Sequence, residues 1–167
     1  MTSPDPKFQL RYASVSDAAL MRDVMLRCWT GTVAANSSAY RETEATISQH
    51  IEQGAGVLLY DGDEAIGGGR HVPVPGPPGD AREWVEIKRV GVLKSHRKFG
   101  LGPLLVQALE DDARARGYAG GQLGVRADQP RLIDFWRSLG YSLASNVAMH
   151  TVNPLAPPPT TMRKRFT

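Results

Sequence analysis

The chain of 167 residues holds a single cysteine, Cys28, so no internal disulfide is open to it. That excludes the disulfide-stapled secreted scaffolds and favours a reducing, cytoplasmic setting, with Cys28 a small buried apolar side chain. No apolar run approaches the ~20 residues needed to span a bilayer. Pro4, Asp5, Pro6 and Lys7 likewise lack the apolar stretch of a signal peptide, so no membrane partner is expected. Aromatic residues make up only 7% of the chain and are not interleaved with the basic ones, which argues against a nucleic-acid partner. Acidic residues are missing from one long stretch. Between Glu86 and Glu110 the charged side chains are Lys88, Arg89, Lys94, Arg97 and Lys98, with His96 among them. The net charge of +3 decides nothing by itself, but this run is a local positive field suited to a multiply phosphorylated ligand.

What is present is the composition of an ordinary soluble globule, 41% hydrophobic and 22% charged. A chain of this length is expected to form one domain over residues 1–167 and to bury about 70% of its unfolded surface. Residues near Phe8 to Ala13 alternate as a strand, and Ser16 is placed to cap a first helix. Leu20, Met21, Val24, Met25, Cys28 and Trp29 share one face of that helix. A polar link, Thr30 to Arg41, leads to a second helix over about Glu42 to Gln53. Strands follow over 57–60 and 65–74 around the hairpin turn Asp61-Gly62-Asp63, and a long one over about Glu83 to Leu93. Pro103 opens a helix with Leu101, Leu104, Leu105, Ala108 and Leu109 on one stripe, supported by Glu110–Arg114 and Asp112–Arg116 pairs. A short strand over 121–126, a last helix from Pro130 to Gly140, a strand from Tyr141 to Val152 and a closing strand over 160–166 complete the order βααβββαβαββ.

The most informative segment is Arg97-Lys98-Phe99-Gly100-Leu101-Gly102, between the long strand and the Pro103 helix. Glycines let backbone N–H groups approach an anion, and a helix start adds unpaired donors and partial positive charge. Val90-Gly91-Val92 followed by this Arg-x-x-Gly-x-Gly run resembles the signature of the GNAT superfamily of acyl-CoA-dependent N-acetyltransferases. Phe135-Trp136-Arg137-Ser138-Leu139-Gly140-Tyr141 resembles a second block that ends the family's last long helix. The resemblance implies an α/β fold with a central mixed, mostly antiparallel sheet of about seven strands flanked by about four helices.

It also implies acetyl-CoA as co-substrate, no metal, and an acceptor that is a small-molecule or peptide amine, in a monomer or homodimer. In that reading Val90, Gly91 and Val92 pair with the pantetheine arm. Lys98, Phe99, Gly100, Leu101 and Gly102 hold the pyrophosphate through their N–H groups, with Arg97 alongside. Gln129 stands where the family often has a CoA-contacting Asn, and otherwise caps the helix before Pro130. Glu86 is expected as general base, six residues before Val92 and therefore on the same strand face; Glu83 is the weaker candidate. The alternative for Glu86 is an ordinary carboxylate paired with Lys88. Trp136 occupies the usual position of a tyrosine acid. Indole cannot release a proton at neutral pH, so Trp136 is read as packing against the cofactor arm, and either no general acid stands there or another group such as Tyr141 supplies one. A non-catalytic acyl-CoA-binding sensor remains the alternative function. Acceptor recognition is expected from Trp29 to Arg41, with Tyr40, and from Asn153 to Thr161.

Overall fold

The computed structural model describes residues 7–167, so the reading of Pro4 to Pro6 lies outside it. Seven strands form one sheet: β1 (Phe8–Tyr12), β2 (Ala55–Asp61), β3 (Glu64–Pro75), β4 (Glu83–Val92), β5 (Gly120–Val125), β6 (Ser142–Leu143) and β7 (Thr160–Arg165). Their order is β1-β2-β3-β4-β5-β7-β6, antiparallel throughout except for the parallel pair β4–β5. Helices α1 (Ala18–Trp29) and α2 (Glu44–Gln53) cover one face, where Ala18, Met21, Ile47, Ile51 and Leu58 pack together. Helices α3 (Gly102–Ala115) and α4 (Leu132–Ser138) cover the other, over a core that includes Leu59, Ile66, Ile87, Leu105, Leu109 and Trp136. The mixed, mostly antiparallel sheet with flanking helices is the architecture expected from the sequence.

Local chemistry explains the boundaries. Gly62, at φ +59°, makes the β2–β3 turn, and Thr43 caps α2 by accepting the N–H of Thr46. The α1 entrance differs from expectation: Asp17, not Ser16, is the N-cap residue and its side chain makes no cap bond to α1, its Oδ2 instead accepting from the N–H of Ser14 at 2.8 Å in the capping box of a short 3₁₀ turn over Val15–Asp17. Helix α4 begins at Leu132, so Gln129 is not its cap, and Leu132 is exposed.

Two departures shape the site. First, β4 contains a β-bulge: Gly68 faces Gly91 and Arg70 faces Lys88, so Arg89 and Val90 together oppose Gly69. Arg89 sits in the left-handed region at φ +59°. One inserted residue reverses the side-chain alternation beyond it. Ile87 and Val92 therefore share the α3 face, whereas Glu86 and Lys88 lie on the α1/α2 face. The expectation that Glu86 and Val92 share a face is incorrect for this reason. Gly91 now points at α1, and a Cβ built there would lie 2.3 Å from Trp29 Cζ3.

Second, the segment read as a strand from Tyr141 to Val152 pairs only at Ser142 and Leu143. Ala144 still exchanges bonds with Thr161, but Asn146 turns at φ +56° and the chain leaves the sheet. The N–H of His150 then goes to Glu86 Oε1, and the carbonyl of Ala148 to the Gln122 amide, so side chains of β4 and β5 satisfy the backbone that the sheet loses.

The close seat of Trp29 on Gly91 gives a stability test. Gly91→Ala is expected to cost about 1–3 kcal/mol through overpacking, read as a lowered midpoint in urea unfolding with an unchanged slope. An unshifted midpoint would show that the α1–β4 contact is looser than described.

Candidate active site

Strands β4 and β5 pair at only two positions, Val85 with Gly121 and Glu86 with Gln122. Beyond them the strands part, and the remaining edge of β4 finds no β5 partner among the described residues. Glu86 stands at the point of parting. It is 2% exposed, and its Oε1 accepts from Gln122 Nε2 and from the N–H of His150, both at 2.9 Å. These two bonds leave Oε2 to an ion pair with Lys88 Nζ, 3.7 Å away and beyond hydrogen-bond length. The carboxylate is thus buried and oriented, not an ordinary surface group. Glu83, by contrast, is exposed at the start of β4.

Lys88 lies beside it, 8% exposed, donating to Thr151 Oγ1 at 3.0 Å and sitting 3.4 Å from His150 Nδ1. Burial lowers its pKa from the usual lysine value, a shift that the Glu86 charge opposes. Both side chains line a cleft of about 1020 Å³ whose walls are Asn36–Ser38, the outer end of β5 at Gly124 to Asp128, and the segment from Asn146 to Pro159. The two acceptor loops expected from the sequence meet here. Tyr40 itself is tied down, its hydroxyl within 2.9 Å of the Trp29 carbonyl and 2.7 Å of that of Val33, so it shapes the loop from behind.

Behind the cleft a buried ion cluster holds the α2 entrance against the sheet. Glu42 bonds Arg70, which is 1% exposed, and lies 3.4 Å from Arg89 Nε. Burial alone would raise the Glu42 pKa; the two guanidinium groups outweigh it and hold the carboxyl below its usual range. Arg89 also donates to Ser38 Oγ at 2.8 Å, which fixes the Asn36–Ser38 wall. Lys88 and Arg89 therefore belong to the α1/α2 face of the sheet and not, as the sequence implied, to a field beside the glycine loop.

That loop takes the expected shape. Lys94–Phe99 forms 3₁₀ turns, Gly100 reverses the chain at φ +64°, and Pro103 sits in the first turn of α3. Among the described residues no backbone carbonyl takes the N–H of Leu101 or Gly102. A Cβ on Gly102 would meet the Phe135 ring at 3.2 Å, so α4 closes on the helix start. Lys98 and Phe99 are exposed, and Phe99 rests on Phe8 with ring centroids 5.3 Å apart. Arg97 is turned away from the loop: its Nε donates to the Val92 carbonyl at 3.0 Å and its Nη2 to that of Cys28 at 2.9 Å, bracing α1 to the end of β4. Val90 and Gly91 are half-buried on the parting edge.

Gln129 is buried and its amide lies 3.4 Å from the Thr32 carbonyl. Trp136 is packed edge-on against Phe135 and Tyr141, as a core residue. Tyr141 is not a free acid. Its hydroxyl donates to Glu110 Oε2 at 2.8 Å, Lys164 joins them at 3.0 Å, and burial together with the Glu110 charge drives its pKa far up. Cys28 is buried, and burial pushes its thiol up to about 11, consistent with a packing role. Gln122, His150, Thr151 and Arg126 were not singled out from the sequence; His150 and Thr151 fall in the stretch whose strand pattern misled.

The sequence model of the acetyltransferase (GNAT) family matches residues 19–141, and the chain belongs to that family. Among proteins, it is 29% identical over 102 residues to the uncharacterized N-acetyltransferase YjcF of Bacillus subtilis, a match covering 61% of this chain and 66% of that one. The chain thus spans just under two thirds of that relative's length. Among solved structures, an acetyltransferase of Streptococcus agalactiae 2603 superposes with a TM-score of 0.72 at 11% identity, covering 97% of this chain and 100% of that one. PaiA N-acetyltransferase of Thermoplasma acidophilum, solved in complex with coenzyme A, gives 0.72 at 13% identity, covering 95% and 99%. These likenesses show the fold. No helix among the described residues is long and apolar enough to cross a membrane.

The histidine behind the cleft predicts a pH response. His50 on α2 stacks edge-on against His150 at 5.4 Å, and burial, with Arg70 and Lys88 nearby, lowers its pKa to about 4 despite the opposing pull of Glu42. A histidine depressed in the folded state is neutral there and fully stabilising above its unfolded pKa of about 6.5. That contribution is lost as pH falls from 6.5 through 4. Thermal melting is expected to drop over this window, and to drop less steeply in His50→Gln; identical slopes would remove His50 from the account.

Proposed function

We propose that the protein transfers an acetyl group from acetyl-CoA to an amine, with Glu86 as general base. The observation that carries this reading is the placement of a buried carboxylate, with one oxygen held by two hydrogen bonds and the other facing Lys88, where a parallel strand pair opens into a cleft. The residues present suit the co-substrate. The parted edge of β4 offers backbone groups to an extended amide-bearing arm, and the N–H groups of Leu101 and Gly102, with Lys98 nearby, suit a diphosphate. The coenzyme A bound to the PaiA relative supports that assignment. Arg97, being committed to the Val92 and Cys28 carbonyls, serves as a brace and not as a phosphate ligand.

Acetyl-CoA supplies an activated thioester. The acceptor nitrogen forms the new C–N bond as the C–S bond breaks, and coenzyme A leaves as a thiolate. Glu86 takes the proton that the nitrogen must lose, since an alkylammonium with pKa near ~10.4 is unreactive at neutral pH. Gln122 and His150 keep the carboxylate pointed. With Trp136 packed and Tyr141 bound to Glu110, the chain places no hydroxyl acid in the usual position, and a thiol of pKa near ~8.5 departs without one.

Glu86→Gln is expected to lower kcat at least tenfold, a threshold set below the roughly 10²–10⁴ typical of a positioned base, while the melting shift produced by acetyl-CoA is retained. Release of free thiol in the presence of an acceptor reads the first and thermal melting the second. An unchanged kcat removes Glu86 from the chemistry.

A further inference from the structure

The same cleft contains information about the acceptor, and the inference below rests on the acetyl-transfer reading. Its charges are arranged against a polycation. Lys88, Arg89 and Arg126 line it, against Glu86 and Asp128. Asp128 is taken up by Arg126 at 2.9 Å, and Glu42, behind the wall, is shared between Arg70 and Arg89. A second ammonium group on the acceptor would have no free carboxylate to meet.

Close to the reaction centre the unused hydrogen-bonding capacity is specific. Glu86 Oε1 is filled by Gln122 and His150, leaving Oε2 as an acceptor. Lys88 Nζ has Thr151 and His150 as neighbours, leaving one of its three N–H donors. This acceptor and this donor form an ion pair at 3.7 Å, too long for a hydrogen bond between them, in an environment that excludes most water. A molecule with an amine and an anion one carbon apart can use both, since N–Cα and Cα–C bonds of ~1.5 Å put an α-amine and its carboxylate oxygen roughly 3 Å apart, close to the spacing of the pair. We propose that the acceptor is a free α-amino acid, its amine at Glu86 Oε2 and its carboxylate on Lys88 Nζ. The rest of the cleft is mostly apolar, with Val147, Met149, Val152 and the Pro157–Pro159 run, and takes an uncharged side chain. Lys88 is then a specificity residue, separate from the proton-accepting role of Glu86.

The test uses matched probes with wild-type enzyme and acetyl-CoA: alanine, valine, leucine, methionine and phenylalanine, each beside its amide and its decarboxylated amine, with spermidine as polycation. At least one amino acid is expected to exceed its own amide and amine in kcat/KM by tenfold or more, about 1.4 kcal/mol. In Lys88→Met that preference is expected to collapse through a raised KM, while the plain amine is affected less. Amides, amines or spermidine consumed as well as the acids would overturn the proposal, as would a preference that survives Lys88→Met. Turnover of none of the amino acids by enzyme that acetyl-CoA stabilises against melting would overturn it and leave the acetyl-transfer reading standing. Failure of acetyl-CoA to stabilise the protein at all would bring down both.

Discussion

Two parallel residue pairs, Val85 with Gly121 and Glu86 with Gln122, join the β1–β4 half of the sheet to the β5–β7–β6 half. Everything at the site follows from how brief that junction is. A sheet that stayed paired would satisfy the β4 edge with β5 and leave neither an opening nor a reason for the 144–159 segment to reach inward. Because the strands part, backbone that would have bonded in the ladder must find other partners. The Gln122 amide and the Glu86 carboxylate supply them, and in doing so they are themselves fixed in place. Fold and candidate site are therefore one hydrogen-bonded unit.

The bulge at Arg89 is the second consequence of the same region. By placing Arg89 and Val90 against Gly69, it sends Lys88 and Arg89 toward α2 while returning Val90 and Val92 to the core under α3. The buried cations that result are costly in isolation, and each is met by a partner: Arg70 and Arg89 by Glu42, Lys88 by Thr151 and Glu86. Removing one member of such a cluster leaves another uncompensated, so the α2 entrance, the Asn36–Ser38 wall and the carboxylate stand or fall together. On the opposite face the Tyr141–Glu110–Lys164 group performs a comparable task, tying α4 and β7 to α3, and takes no part in the cleft.

Elements with strong local signals were legible from the sequence. The stripe of Leu101, Leu105, Ala108 and Leu109, the Asp61-Gly62 turn and the Gly100 reversal each follow from short-range chemistry, and each has the form expected. So has the glycine loop between strand and helix. What was not legible depends on partners distant in the chain. A non-glycine residue in the left-handed region announces itself by no residue type, so the Arg89 bulge, and with it the face of Val92, was invisible. The residues from Ala144 to Thr151 alternate weakly enough to pass for a strand; their course is decided by Glu86 and Gln122, more than twenty residues away. The family resemblance places Arg97 beside a phosphate, whereas two carbonyls at the end of α1 and β4 claim it.

The gap between β4 and β5 is the proposed seat of acyl transfer. A crystal structure of the protein with coenzyme A tests it most directly. Density is expected for the pantetheine arm along the unpaired edge of β4, for the diphosphate at the N–H groups of Leu101 and Gly102, and for the sulfur opening toward Glu86. Density for the arm on any other edge of the sheet, or a diphosphate held away from the start of α3, would contradict it.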